Sequence, residues 1–227
     1  MKDEICKTIA AVSSKKAALT KARDEIARMG EILYQRQLAH GSAGNVSVRL
    51  EDGSFLCTPT NSCLGFLDPD GLAHLSACGT HISGGKPSKE SFFHQAVYQA
   101  RTQAGAVVHL HSTHAVAISC LCHDNSTDVL PPLTAYHVMR IGRLPLLPYY
   151  PPGDRSLAAA VGQCASNHKA MLLANHGPIV SGSNLQDAVW SYEELEETAK
   201  ISLLLEGRRT MPLSSARVAQ LAELFPS

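Results

Sequence analysis

The stretch Val107-Val108-His109-Leu110-His111-Ser112-Thr113-His114 sets three histidines two and three residues apart behind an apolar run. Side chains on a β-strand alternate faces, so His109 and His111 would point the same way. Neutral imidazole is a common ligand for divalent transition metals, and a strand would fix the distance between the two rings. On this stretch alone, half a metal site and a chance pair at a strand end both stay open. His176 follows the apolar run Ala170-Met171-Leu172-Leu173-Ala174 and precedes Gly177. That places it at a second strand end, where α/β folds often bind ligands. It is the natural third partner, although a hydrogen-bonded turn residue is an equal reading of His176 alone. Three histidines plus open positions describe a catalytic zinc site, since structural sites are closed by four protein ligands.

Glu90 is the acid/base candidate. It falls in the expected first turn of a helix, where the N-terminus favours an ionised carboxylate; dipole compensation is the plainer account of it. Ser88 is the expected N-cap of this helix, which the pattern places over Lys89 to Arg101. The free N–H groups of the helix start, with the Ser88 hydroxyl and the Lys89 charge, could bind an anion. Gly44-Asn45-Val46-Ser47 and Thr58-Pro59-Thr60-Asn61 add two loops of small hydroxyl and amide residues, a composition that could cradle phosphate and that ordinary turns share. His94, one helical turn after Glu90, reads as a packed or supporting residue. Tyr136 reads as a general acid or as an amphipathic surface residue. His74, His81, His114, His123 and His137 have no evident partner.

These residues need a scaffold. Helical spacing runs from Ala17 to Ala39, and residues 1–16 read as a loosely held extension ahead of a domain over 17–227. Asn45–Leu50 alternates like a half-buried strand, Asp52-Gly53 signals a hairpin, and Phe55–Cys57 returns. Gly105–His111 is an expected strand, followed by a short helix capped by Ser112. Leu144–Leu147 is a short strand, Arg155–Ser166 a helix, Ala170–Ala174 a buried strand and Ile179-Val180 a short one. Helices follow from Leu185, capped by Asn184, to Glu206 and from Ser214 to Leu224. Strands and helices interleave without repeats or linkers, which predicts one α/β domain with a central sheet covered by helices.

Composition narrows the function. The 227 residues are 44% hydrophobic and 18% charged, with no formal net charge. That suits one cored domain and provides no global pull toward nucleic acid or an acidic membrane surface. No run approaches a membrane span, and the acidic start Met1-Lys2-Asp3-Glu4 leads into no signal-like apolar segment. The seven cysteines are expected to be reduced thiols in a cytoplasmic protein, with the Cys120-Leu121-Cys122 pair packed in the core.

Gly44-Asn45-Val46-Ser47-Val48-Arg49, Thr58-Pro59-Thr60, Lys86-Pro87-Ser88-Lys89-Glu90, His109-Leu110-His111 and Asn175-His176-Gly177 occur in the order and spacing of the class II aldolases. That family includes L-fuculose-phosphate aldolase and L-ribulose-phosphate 4-epimerase. The resemblance runs from about Ile26 to Glu206. Within the family the chain is most similar to 3-oxo-tetronate 4-phosphate decarboxylases, on Thr58–Phe66, Lys86–Glu90 and Leu144–Asp154. The resemblance implies a three-layer fold with a mainly antiparallel sheet. It implies one divalent metal per subunit on His109, His111 and His176, zinc first, with manganese or cobalt as alternatives. It implies Glu90 as acid/base, also approaching the metal when substrate is absent. It implies phosphate contacts from Asn45, Ser47, Thr58, Thr60 and Ser88, and a tyrosine at Tyr136 that reaches a neighbouring subunit's site in a homotetramer. The aldolases carry a second serine where this chain has Lys89; a cation there could hold phosphate or steer a substrate carboxylate.

The implied reaction is decarboxylation of a 3-oxo-tetronate 4-phosphate to dihydroxyacetone phosphate and CO2 through an enediolate. An aldolase cleaving a ketose phosphate makes the same enediolate and is the alternative. A non-catalytic oligomerising module like the adducin head predicts loss of the three histidines or the glutamate, and all four are present. A metal-dependent hydrolase fits the histidines but not the anion-lined loops.

Overall fold

The computed structural model describes residues 2–225, with side chains from Lys15 onward. Helix α1 spans Lys2–Gln35. Its backbone therefore runs through the segment expected to be a loose extension, and the side chains of most of that segment lie outside the described residues. The helix also stops before Ala39, because Gln37 takes a left-handed φ of 61°, which ends helical hydrogen bonding.

The strands are β1 (Asn45–Arg49), β2 (Phe55–Cys57), β3 (Ala73–Leu75), β4 (His81–Ser83), β5 (Ala106–His109), β6 (Leu146–Leu147), β7 (Ala170–Leu173) and β8 (Gly177–Gly182). The remaining helices are α2 (Ser91–Ala100), α3 (Thr113–Ser119), α4 (Ala135–Arg140), α5 (Leu157–Ala165), α6 (Leu185–Leu204) and α7 (Ser215–Leu224). The strands form one sheet in the order β4-β3-β2-β1-β5-β8-β7-β6. Every pairing is antiparallel except β6 with β7. The expected α/β domain with a mainly antiparallel sheet is therefore present. β3, β4 and α4 were not expected: the strands are three residues long and the helix six, too short for periodicity to register.

Strand alternation builds two cores. In β5, Ala106 and Val108 face a layer containing Ile26 and Leu33 of α1, Ala115 of α3 and Leu195 of α6. Val107 faces the other layer, with Phe93 and Val97 of α2 and Val161 of α5. His109, two residues on from Val107, lies on that second side, its ring edge-on to Phe93 with centroids 5.3 Å apart. The fold thus delivers the histidine to the start of α2, where Glu90 sits. Cys120 and Cys122 are exposed, so the expectation of core packing for them does not hold. Their tight turn after α3 points them outward.

Candidate active site

Three chain segments converge on one point: the end of β5, the turn between β7 and β8, and the residue just before α2. β5 ends at His109 rather than His111, so His111 stands on the segment beyond the sheet. The rings still meet. Nε2 of His109 and Nε2 of His111 are 3.1 Å apart, and ligand atoms of His109, His111 and His176 all lie within 4.8 Å of one another. His176 arrives through a turn in which Asn175 takes a φ of 56°, a conformation asparagine tolerates better than most residues. Gly177 then lets the turn approach, since a Cβ there would lie 2.6 Å from the Leu110 carbonyl oxygen.

Nδ1 of His109 lies 2.9 Å from the Pro178 carbonyl oxygen. A carbonyl only accepts, so this nitrogen carries the proton and Nε2 presents a lone pair. That lone pair faces His111 Nε2 and, at 3.5 Å, a Glu90 carboxylate oxygen. A lone pair set against a carboxylate oxygen is a repulsive arrangement that a cation bound between them would relieve. The donor set, three imidazole nitrogens with a carboxylate beside them, fits a divalent transition metal. Burial pushes His109 down to about 3 and His111 down to about 4, so both are neutral and competent as ligands at pH 7.

Glu90 was expected inside the first turn of its helix. It lies instead at the cap position with φ −100° and makes no capping hydrogen bond. Its carboxylate turns away from the helix into the histidines, with Oε1 3.3 Å from His176 Nε2. Burial would raise this carboxyl, but hydrogen bonds from His176 and Asn45 oppose burial, and the carboxyl is held below the usual range. Helix-dipole compensation does not explain its position.

Beneath Glu90 runs a buried polar chain. Asn45 Nδ2 donates to Glu90 Oε2 at 2.7 Å, and its Oδ1 accepts from His94 Nε2 at 2.5 Å. With Nε2 donating, His94 Nδ1 is an acceptor, and the Ser47 hydroxyl donates to it at 2.7 Å. The same hydroxyl accepts from Tyr98 at 2.7 Å. Burial pushes His94 down to about 3, which keeps it neutral as this pattern requires. His94 therefore has the supporting role expected of it.

The anion-binding set divides. Ser47 and Thr58 are fully buried; Ser47 is committed to His94 and Tyr98, and the Thr58 hydroxyl accepts from the Val46 N–H. Both were expected to touch phosphate, and neither hydroxyl reaches solvent, because alternation turns Ser47 into the core beneath α2. Asn45 is committed to Glu90 and His94, and Ser88 accepts from the Glu90 N–H at 3.2 Å. Thr60 is half-buried and Lys89 exposed, and among the described residues neither side chain has a partner. Tyr136 is 62% exposed on α4, beside Arg140, Trp190 and Glu193, and this chain does not bring it to the histidines. The contributions of Tyr98 and Pro178 were not anticipated. The alternation of β1 could have suggested a partner under Ser47; nothing in sequence marks the Pro178 carbonyl.

Residues 24–203 match the family model described as the class II aldolase and adducin N-terminal domain. The chain belongs to this family. It is 49% identical over 199 residues, 88% of this chain and 94% of the relative, to the 3-oxo-tetronate 4-phosphate decarboxylase of Escherichia coli strain K12. It is 38% identical over 170 residues, 73% of this chain and 75% of the relative, to the L-fuculose phosphate aldolase of Escherichia coli O6:H1. The crystal structure of YgbL from Escherichia coli superposes with a TM-score of 0.88 at 46% identity, covering 90% of this chain and 99% of that one. The protein is therefore a lyase of the class II aldolase family. Among the described residues no helix is long and apolar enough to cross a membrane.

Proposed function

We propose that this class II aldolase relative is a divalent-metal-dependent carboxy-lyase that converts a 3-oxo-tetronate 4-phosphate into dihydroxyacetone phosphate and CO2. One observation carries the reading: three imidazoles and the Glu90 carboxylate converge within 4.8 Å and 3.5 Å in a chain nearly half identical to such decarboxylases. His109, His111 and His176 would hold the metal, which when bound supplies Lewis acidity toward the substrate's 3-oxo group.

The rest of the chemistry falls to the chain's own groups. When CO2 leaves, the bonding electrons pass into the carbon skeleton, and the carbon left behind must take up one proton. Glu90 can carry that proton: it stands against the cluster and its side chain is 16% exposed, so solvent can recharge it. The Asn45–His94 chain fixes the carboxylate's direction. Lys89 and Thr60, the unpartnered members of the anion set, would take the phosphate together with backbone groups at the start of α2. Zinc as the metal, a homotetramer that offers Tyr136 to a neighbouring site, and a cytoplasmic setting belong to the same reading. The exposed aromatics Tyr136 and Trp190, which line one surface groove with Leu38, support self-association.

The aldolase relative keeps a second reading in view, with an aldehyde as the leaving fragment. Metal-replete protein given a phosphorylated 3-oxo-tetronate separates the two. Release of CO2 with dihydroxyacetone phosphate is expected. No CO2, together with aldehyde release from a ketose 1-phosphate, would establish the aldolase instead.

A further inference from the structure

His111 has a problem of support. The β5 ladder pairs as far as His109, with Asn45 on one side and Ile179 on the other. Leu110 and His111 lie beyond it, and α3 begins at Thr113. Ser112 occupies the cap position of α3 but makes no side-chain cap bond to it. The expected side-chain cap is absent, and α3 holds Ser112 through the backbone bond from the Val116 N–H to the Ser112 carbonyl.

Support comes from α6. Glu196 is 7% exposed, and its carboxylate accepts from the Ser112 hydroxyl at 2.6 Å, the His114 N–H at 2.9 Å, the His114 ring Nδ1 at 2.8 Å and the Ala115 N–H at 2.9 Å. It caps α3 from another helix. Tyr192, one helical turn earlier on the same face of α6, donates its hydroxyl to the Leu110 carbonyl at 3.0 Å and meets Ser112 Oγ at 2.9 Å. These contacts bracket His111: Leu110 is gripped before it and Ser112 to Ala115 after it. A buried carboxylate is costly unless its lone pairs are satisfied, and here all four of its partners lie within four residues of His111.

We propose that Glu196 and Tyr192 are positioning residues for His111, setting the third imidazole against the other two. The inference rests on reading the histidine cluster as a metal site. It assigns part of that site's geometry to two residues that touch neither the cluster nor the substrate. Groups that orient a ligand from behind typically change metal affinity by about 10–100-fold when removed.

The test uses cobalt as the probe. Purified full-length protein is stripped with chelator and titrated with Co2+, reading the visible ligand-field spectrum and the affinity by chelator competition. Variants are Tyr192→Phe, which loses only a hydroxyl, Glu196→Gln, and Glu194→Gln as a control on the same helix. The two positioning variants should weaken cobalt binding about 10–100-fold and alter its spectrum, while Glu194→Gln matches wild type. A purely structural role would lower the thermal midpoint and leave affinity and spectrum alone, and that result would overturn the proposal while leaving the metal reading intact. Wild-type protein that takes up no cobalt would overturn both. Should Glu196→Gln fail to fold, Tyr192→Phe decides alone.

Discussion

Lowering the pH should expose the cost of keeping His137 neutral. It is 1% exposed, its Nδ1 has no hydrogen-bond partner among the described residues, and burial alone pushes it down to about 4. In the unfolded chain an imidazole titrates near 6.5. Between those values the unfolded state binds more protons than the folded one, so stability is full above about pH 6.5 and drains as pH falls toward 4. At pH 5 the unfolded chain gains about 1.5 logarithmic units of protonation and the folded site almost none, a loss of about 2 kcal/mol from this residue. That is a large share of a stability of about 5–15 kcal/mol. His137→Leu removes the titration without leaving an orphaned partner. Urea unfolding of chelator-treated wild type and variant at pH 8, 6 and 5 measures the difference. The variant should differ by no more than about 1.5 kcal/mol at pH 8 and should gain about 2 kcal/mol relative to wild type by pH 5. Curves that stay parallel across the series would refute a neutral buried imidazole at this position.

Four further variants test the site. Glu90→Gln should retain metal, measured by elemental analysis, and lose about 10²–10⁴ in kcat, because the amide cannot carry the proton. Ser47→Ala should cost about 1–3 kcal/mol in urea unfolding by stranding His94 Nδ1. It should leave KM unchanged, whereas Lys89→Ala should raise KM about tenfold, the loss of one charge-assisted contact. Gly177→Ala places a Cβ 2.6 Å from the Leu110 carbonyl oxygen, and should destabilise the fold by about 1–3 kcal/mol and lower metal content.

The histidine cluster was legible in the sequence because its signals are local. His109 and His111 two apart behind an apolar run, and His176 between an apolar run and a glycine, suggested two strand ends, although β5 stops at His109. The α/β class was legible for the same reason. What the sequence hid depends on contacts across the fold. Ser47 and Thr58 have the composition of an anion loop, and only the packing of α2 over β1 shows their hydroxyls to be internal. Glu90 looked like a first-turn acid, and the helix begins one residue too late for that. The anchoring of His111 joins residues about 80 positions apart, a separation that periodicity cannot bridge. Tyr136 depends on contacts beyond one chain: α4 carries it to an outer face, where the expected role was to reach a neighbouring subunit's site.

The convergent cluster serves decarboxylase and aldolase alike, so the choice between them must lie in groups that meet the part of the substrate that departs. Lys89 is the charged residue of this chain nearest in sequence to Glu90, and its two assignments have different kinetic consequences. A carboxylate leaving as CO2 loses its charge on the way to the transition state. A lysine holding that carboxylate would stabilise the ground state more than the transition state and slow the reaction. The phosphate keeps its charge throughout, so a lysine there binds both states equally and adds affinity without raising the barrier. In a decarboxylase Lys89 therefore belongs with the phosphate, and Lys89→Ala should act on KM with kcat held. A rise in kcat on removing Lys89 would put its ammonium group on the departing carboxylate instead.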